Sequence, residues 1–184
     1  MPSITDQQLV SQCREGNKDA FRLLVQEHQR RVFSLALKMV GDEEEAKDVV
    51  QETFLRVWQR LDDYDPQRPF TTWLYVIASR LCLDALRKMN RTSPLPADEQ
   101  VLRHFAADSG TQRQVENREW VSIVRMLADG LSPKQRLVFT LSQLEGLPSQ
   151  EVEVVTGLSA RQVKSNLYAA RQTIRERLKR LGYE

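Results

Sequence analysis

The fold of this chain is decided by the segment Asp48-Val49-Val50-Gln51-Glu52-Thr53-Phe54-Leu55-Arg56-Val57-Trp58 and by Phe70-Thr71-Thr72-Trp73-Leu74-Tyr75, which follows it. Apolar residues in and around the first segment recur at steps of three and four, the period of one face of an amphipathic helix. These residues are Ala46, Val49, Val50, Phe54, Val57 and Leu61. The pattern predicts a helix that buries one stripe in a helical bundle.

The opposite face of this helix is polar around a single leucine. It carries Asp48, Gln51, Glu52, Leu55 and Arg56. Such a face suits plain solvated surface or a docking surface for another protein, and periodicity alone favours the first interpretation.

Length and composition indicate a protein of the cytoplasm. A chain of 184 residues can form one large domain or two small ones. It has no apolar run of transmembrane length, and its first residues lack the basic start and apolar core of a signal peptide, so we expect no insertion into a membrane. Cys13 and Cys82 stand alone on helical apolar patterns and are predicted to be buried free thiols. His28 and His104 have no second ligand at metal spacing, so neither a metal nor another cofactor is predicted.

Charge is distributed unevenly, although the formal net charge is only +2. From residue 160 onward, bases greatly outnumber the two acids Glu176 and Glu184. Residues 41–52 are the reverse, because six acids there face the single base Lys47. Distribution matters more than the sum for binding a polyanion, so the C-terminal segment is the one suited to nucleic acid.

Helix-capping residues and breakers divide residues 1–89 into a predicted bundle of four helices. The predicted N-caps are Thr5, Asn17, Asp42 and Thr71. The helices are expected to end at about Arg14, at Gly41, near Leu61 and at about Met89. Turn-forming residues from Asp62 to Pro69 predict a loop between the third and fourth helices.

Residues 90–114 are interpreted as a flexible linker, because they contain prolines, serines and a glycine around one possible short helix at 98–105. An ordered excursion packed on one domain is the alternative. Residues 115–184 form the second predicted domain, beginning with a helix at about 115–128. Ser132-Pro133-Lys134-Gln135 is a complete helix start, and the helix it opens is predicted to end at Gly146.

The rest of the second domain follows a helix-turn-helix pattern. A short helix at about Ser149–Val155 precedes the tight turn Thr156-Gly157-Leu158-Ser159, and a long helix follows with Ser159 as its cap. One face of the long helix is apolar, while the other suits the edges and phosphates of a duplex. That polar face carries Arg161, Lys164, Ser165, Tyr168, Arg171 and Arg175. A merely basic surface helix is the alternative.

The residues of these motifs resemble those of one protein family. Asp-x-x-Gln-Glu-Thr-Phe-Leu-x-Val-Trp, then Phe-Thr-Thr-Trp-Leu-Tyr and the basic run Leu83 to Lys88, resembles the polymerase-binding and promoter-melting region of bacterial sigma factors, in particular the extracytoplasmic-function (ECF) group. Leu131-Ser132-Pro133 and Val163-Lys164-Ser165 resemble their promoter-binding second domain. The resemblance covers about residues 19–89 and 131–181.

This resemblance implies an all-α fold of two small helical domains joined by a flexible linker, and it implies three sites. The polymerase-binding site is Asp48, Gln51, Glu52, Leu55 and Arg56. The site for the minus-ten element, recognised as an unpaired strand, is Tyr64, Arg68, Phe70, Thr72, Trp73, Ser79, Arg80, Arg87 and Lys88, although Trp73 equally suits the core. The site for the duplex minus-thirty-five element is Arg161, Gln162, Lys164, Ser165, Tyr168, Arg171 and Arg175.

Three positions depart from the pattern of the family. Asn166 and Val76 stand where arginine is common, and Glu153 stands where alanine is common. They affect the expected base preference, one phosphate contact and the packing of the helix-turn-helix.

The resemblance implies a sigma factor with three partners: core RNA polymerase, promoter DNA and a helical, membrane-tethered anti-sigma protein. No small-molecule substrate is expected. An enzyme is disfavoured, because the chain lacks a nucleophile motif, a phosphate-binding glycine loop and the Glu-x-x-His pairs of helical metal sites. A helix-turn-helix regulator with an N-terminal sensor or dimerisation bundle remains the alternative.

Overall fold

The computed structural model describes residues 5–92 and 130–180, and every regular element in these two ranges is helical. The first range contains α1 (Asp6–Arg14), α2 (Lys18–Val40), α3 (Glu43–Gln59), a 3₁₀ turn (Leu61–Asp63) and α4 (Phe70–Thr92). The second contains α5 (Pro133–Phe139), a π-helical turn (Thr140–Leu144), α6 (Ser149–Thr156) and α7 (Ala160–Arg180). The all-α fold class is confirmed.

The predicted starts of the first three helices are confirmed by their caps. Thr5 forms the capping box with Gln8 at the start of α1. At the start of α2, the side chain of Asn17 accepts the N–H groups of Asp19 and Ala20. Asp42 accepts the N–H of Glu45 at 3.0 Å. Gly41 ends α2 in the left-handed conformation, with φ 70°, where a residue without a Cβ is favoured.

The predicted cap of the fourth helix is wrong by two residues. α4 begins at Phe70, so Thr71 lies inside it. The carbonyl of Pro69 accepts the N–H groups of Thr72 and Trp73, at 3.1 and 3.4 Å. The carbonyl of Pro69 therefore accepts the first hydrogen bonds of α4, two residues before the predicted cap. α4 also continues to Thr92, three residues beyond the predicted Met89.

The core of the first range lies between α2, α3 and α4. Fully buried side chains from all three helices fill it, among them Leu24, Leu35, Met39, Val57 and Leu74. α1 packs on α2, where the carboxylate of Asp6 lies 2.9 Å from His28 Nε2. Arg14 donates from Nη2 to the carbonyls of Leu61 and Tyr64, both at 2.8 Å, and so fixes the loop after α3.

The helix-turn-helix is also as predicted, with one exception in the helix before it. Ser132 and Gln135 form the capping box with Pro133 at the first helical position. Gly157 has φ 70°, and Ser159 caps α7 with Gln162 as the reciprocal partner. The predicted continuous helix to Gly146 is wrong, because residues 140–144 widen into the π-helical turn.

The two described ranges pack on each other and share one apolar core. Leu137, Val138, Leu141, Val152 and Val155 belong to the same buried cluster as the core of α2, α3 and α4. α4 contacts both α5 and α6. The linker was predicted to begin at Asn90, but residues 90–92 belong to α4. The rest of the predicted linker and the predicted helices at 98–105 and 115–128 lie outside the described residues.

Both cysteines are buried free thiols, as predicted. Burial raises the pKa of each thiol, in the case of Cys82 to about 12. Because the thiolate is the reactive form, we expect a maleimide at pH 8 to label neither cysteine in the native chain and both in urea. Ser11→Cys, an exposed position on the same helix as Cys13, should be labelled in the native state. Native labelling of Cys13 or Cys82 at the rate of Ser11→Cys would contradict their burial.

Within residues 5–92 and 130–180, no helix combines the length and apolar character required to cross a bilayer.

Candidate nucleic-acid interface

One exposed stripe runs along α3, opposite its buried face. Asp48 and Gln51 are exposed, and the side chain of Leu55 is 50% exposed between them and Trp58. Glu52 and Arg56 lie beside the stripe and pair with each other, with Nε to Oε1 at 2.8 Å. We call Asp48, Gln51, Glu52, Leu55, Arg56 and Trp58 the α3 face.

Trp58 is the member of the α3 face that sequence reasoning missed. Its ring packs edge-on against Phe21 of α2, with centroids 4.8 Å apart, yet it remains 36% exposed. The available signal was its spacing, three residues after Leu55 and outside the apolar stripe. The α3 face therefore has an apolar centre, Leu55 and Trp58, with polar groups around it, an arrangement typical of protein interfaces.

Aromatic rings meet where the loop after α3 enters α4. Tyr64, Phe70 and Trp73 have ring centroids 5.5 to 5.8 Å apart. Tyr64 and Phe70 are buried, and Tyr64 donates from its hydroxyl to the carbonyl of Arg68 at 2.7 Å. Trp73, for which core and surface roles were both open, is half-buried on this cluster. The three rings therefore pack together where the loop meets α4.

The polar candidates on α4 fall into two groups. Thr72 and Ser79 are buried, and Ser79 Oγ has no hydrogen-bond partner in the described part of the chain. Cationic side chains lie at the surface, where phosphates could reach them. They are Arg68, Arg80, Arg87 and Lys88. Trp73, Arg80 and Arg87 are spaced by seven residues and share one face of α4, whereas Thr72 and Ser79 lie about 100° around the helix.

α7 separates its residues as the sequence predicts. Val163, Ala170 and Ile174 are buried, and Leu167 and Leu178 are partly buried. The candidate readers are all exposed, Tyr168 to 66%. They are Arg161, Gln162, Lys164, Ser165, Tyr168, Arg171 and Arg175.

Local hydrogen bonds fix three side chains near this exposed face. Gln162 Oε1 accepts the N–H of Ser159 at 2.9 Å, so this oxygen is engaged in the cap. Asn166 donates to the carbonyl of Gln162 at 2.8 Å and so bonds to its own helix. Arg171 donates to Gln143 Oε1 at 3.0 Å, which holds the guanidinium beside the helix-turn-helix. An exposed, partly pre-oriented helix of this kind can enter a major groove.

Comparison with known proteins decides the family. The model of Sigma-70 region 2 matches residues 24–92, and that of Sigma-70 region 4 matches residues 122–174. The ECF RNA polymerase sigma-E factor of Escherichia coli K12 is 30% identical over 180 residues, which cover 93% of each chain. The chain belongs to the ECF group of sigma-70 factors. It is thus a sigma factor that binds core RNA polymerase and directs promoter-specific initiation.

Two further relatives support the placement of this sigma factor. SigW of Bacillus subtilis is 27% identical over 179 residues, 94% of this chain and 96% of its own. CnrH, solved in complex with the cytosolic domain of CnrY, superposes with a TM-score of 0.71 at 28% identity. That alignment covers 95% of this sigma factor and 97% of CnrH.

The sigma factor also has a buried polar cluster that sequence reasoning missed. Its centre is Glu145, which follows the π-helical turn and is contacted by residues of α2 and α4. Burial, and then the adjacent carboxylate of Glu145, raise the pKa of Tyr75 well above its ordinary value. Tyr75 therefore stays protonated and donates to Glu145. No sequence pattern indicated this cluster, because its members lie far apart along the chain.

Proposed function

We propose that this sigma factor uses three surfaces in one initiation event. It docks on core polymerase through the α3 face, captures the minus-ten element as an unpaired strand on α4 and the preceding loop, and reads the minus-thirty-five element as a duplex with α7. The observation that carries the proposal is the geometry of α7, whose exposed polar face follows the Gly157 turn and the Ser159 cap. The role of the sigma factor is binding and recognition, without a catalytic step of its own.

The composition of the α3 face supports docking on a large protein partner. Leu55 and Trp58 offer an exposed apolar centre, and Asp48 and Glu52 give the rim a negative character. Exposed apolar centres surrounded by polar groups provide affinity. Charges on the rim orient the partners and raise the rate of association.

Strand capture is supported by the exposed cations and the partly exposed ring of the loop and α4. Unpaired bases stack on aromatic rings, and the backbone follows cationic side chains. Trp73 is the ring with exposed surface, above Tyr64 and Phe70. Arg68 and Arg80 are exposed near that loop and on the following helix. Both requirements are therefore met on one side of the domain.

We also propose an anti-sigma partner and a location in the cytoplasm, where core polymerase acts. CnrH was solved in complex with the cytosolic domain of CnrY. A partner that covers Leu55 and Trp58 would compete with core polymerase for the same residues. A pull-down from cell extract followed by competition with core enzyme tests this; a ternary complex that still initiates would contradict it.

Run-off transcription tests the proposed function as a whole. Core polymerase with the full chain should initiate at the promoters it selects, and core polymerase alone should not. The chain by itself should bind duplex promoter DNA weakly. Tight binding of duplex promoter by the chain alone, with no initiation when core polymerase is added, would identify a helix-turn-helix regulator instead.

Glu52→Lys tests the α3 face. We expect it to lower affinity for core polymerase by about tenfold or more, because like charges brought together at an interface cost several kcal/mol. The fold should persist, since exposed substitutions usually change stability by less than about 0.5 kcal/mol. Affinity can be measured by fluorescence anisotropy of labelled sigma factor.

The matched control is Asp84→Lys. Asp84 forms an equivalent exposed ion pair with Arg87, at 2.8 Å, but on α4. The Asp84→Lys protein should bind core polymerase with the affinity of the wild type. Equal affinity of the Glu52→Lys protein and the control would refute the assignment of the α3 face.

A further inference from the structure

One guanidinium of α1 holds the backbone of the loop that leads from α3 to α4, residues 60–69. Arg14 Nη2 donates to the carbonyls of Leu61 and Tyr64, both at 2.8 Å. It also donates to the carbonyl of Asp62 at 3.4 Å, and Arg14 Nε donates to that of Leu61 at 3.2 Å. Because a guanidinium is planar and presents its donors in a fixed fork, it determines where these carbonyls lie. The first half of the loop is therefore shaped by α1.

A second side chain of α1 holds the other half of the loop. Gln7 Nε2 donates to the carbonyl of Pro66 at 2.6 Å. Gln7 and Arg14 are seven residues apart, which places them on the same side of the helix, about 10 Å from each other along its axis. The two side chains thus contact the loop at both ends of residues 61–66, and this segment is supported over its length.

α1 is itself fixed on the bundle, so it can serve as a rigid support. Leu9 and Cys13 of its inner face are buried. The carboxylate of Asp6 lies 2.9 Å from Nε2 of His28, a residue that is only 3% exposed. The ring of His28 in turn lies against that of Phe70, with centroids 5.2 Å apart. α1 is therefore anchored beside the ring cluster at the start of α4 as well as beside the loop.

Most of the residues that α1 supports lie at the surface. Asp62 and Asp63 are exposed, as are residues 65–69. Water could satisfy the carbonyls of such a loop, so the protein contacts do more than satisfy buried polar groups. Their effect is to restrict the loop to one shape before a ligand arrives, which lowers the entropy lost on binding.

Tyr64 connects the contact with Arg14 to the surface proposed for strand capture. Its carbonyl accepts from Arg14, and its hydroxyl donates to the carbonyl of Arg68 at 2.7 Å. Its ring packs against that of Trp73, with centroids 5.5 Å apart. The placement of Trp73, the partly exposed ring on which a base could stack, therefore depends on Arg14 through Tyr64.

We propose that Arg14 and Gln7 are positioning residues for capture of the minus-ten strand, which hold the loop backbone in the shape that receives an unpaired base. α1 precedes the segment that matches Sigma-70 region 2, residues 24–92, whereas the loop lies within that segment. The base preference of the minus-ten surface is thus set in part by a helix outside the matched region. This inference rests on the proposed function, because it assumes that the loop and α4 bind the unpaired strand.

Arg14→Lys tests the positioning role, because lysine keeps the charge and loses the planar fork. In the free protein, we expect the amide hydrogens of residues 61–69 to exchange about tenfold faster, as loss of one hydrogen bond to a charged group predicts. In run-off transcription from barcoded templates with a randomised minus-ten element, preference for the favoured base should fall by about tenfold at one position. Gln7→Ala, which removes the second contact, should shift both readouts in the same direction.

Two further readouts separate positioning from a general loss of structure. Affinity for core polymerase and the base preference in a randomised minus-thirty-five element should keep their wild-type values in both variants. A purely structural role of Arg14 predicts faster exchange with unchanged preference in the minus-ten element, and that result would overturn the proposal. A changed preference at wild-type exchange rates would also overturn it, because Arg14 would then contact the strand directly.

The matched control is Arg22→Lys. Arg22 is an exposed arginine of α2 that pairs with Asp19 of its own helix. This substitution should change neither exchange in residues 61–69 nor base preference, and shifts equal to those of Arg14→Lys would overturn the positioning role. Wild-type values of both readouts in Arg14→Lys and Gln7→Ala would do the same. Failure of the wild type to initiate with core polymerase would overturn the proposed function instead, which distinguishes the two failures.

Discussion

Replacing Lys164 or Arg171 with alanine is expected to weaken binding of the minus-thirty-five element by about 1 to 3 kcal/mol each, a loss of roughly 5- to 150-fold. Both side chains are exposed on α7 and lie two turns apart on the same face. Arg171 is also held by Gln143 at 3.0 Å, so its guanidinium loses less freedom on binding. The measurement is binding of labelled duplexes by the sigma factor assembled with core polymerase.

The pattern of the loss distinguishes the two kinds of contact. A base contact gives a loss that depends on one promoter position, whereas a phosphate contact gives a uniform loss and a salt slope reduced by about one. Lys179→Ala, exposed in the last turn of α7, is the control and should have little effect. If both variants bind every duplex as the wild type does, α7 has been wrongly assigned as the reading helix.

Leu24→Ala is expected to lower the free energy of unfolding by about 2 to 5 kcal/mol, the range for a buried leucine that leaves a cavity. Leu24 is 0% exposed at the centre of the bundle of α2, α3 and α4. For a chain of this size, each kcal/mol corresponds to about 2 to 4 °C in Tm. Urea unfolding followed by circular dichroism gives the value.

The neighbouring residue provides the control. Leu23 is the same residue type on the same helix but is 46% exposed, so Leu23→Ala should cost less than about 0.5 kcal/mol. Similar losses of unfolding free energy at the two positions would mean that α2 does not bury Leu24 and expose Leu23.

Local features of the fold were predictable from the sequence, since they depend on residues a few positions apart. The caps at Asn17, Asp42 and Ser159 are examples, as is the left-handed Gly157 turn. The polar stripe of α3 follows from periodicity in the same way. The start of α4 was wrongly predicted at Thr71, because Pro69, whose carbonyl accepts the first hydrogen bonds of the helix, has no capping side chain.

Features that depend on distant residues were not predictable. The Glu145 cluster joins groups 70 to 111 residues apart, and a glutamate before a glycine usually indicates an exposed helix end. The π-helical turn has no residue signature in Thr140–Leu144 and becomes meaningful only with its partners in place. The roles expected for Thr72 and Ser79 remain predictions, and their burial is visible only in three dimensions.

The separation of Lys38 and Glu145 along the chain has a consequence for the newborn protein. The two residues are 107 positions apart, so a ribosome adding about 5 to 20 residues per second makes Lys38 about 5 to 20 s before Glu145. The ribosome completes α3 and α4 within that interval, before Glu145 exists. The contact between Lys38 and Glu145 therefore forms late in the maturation of each molecule, after the helices of the first range have been synthesised.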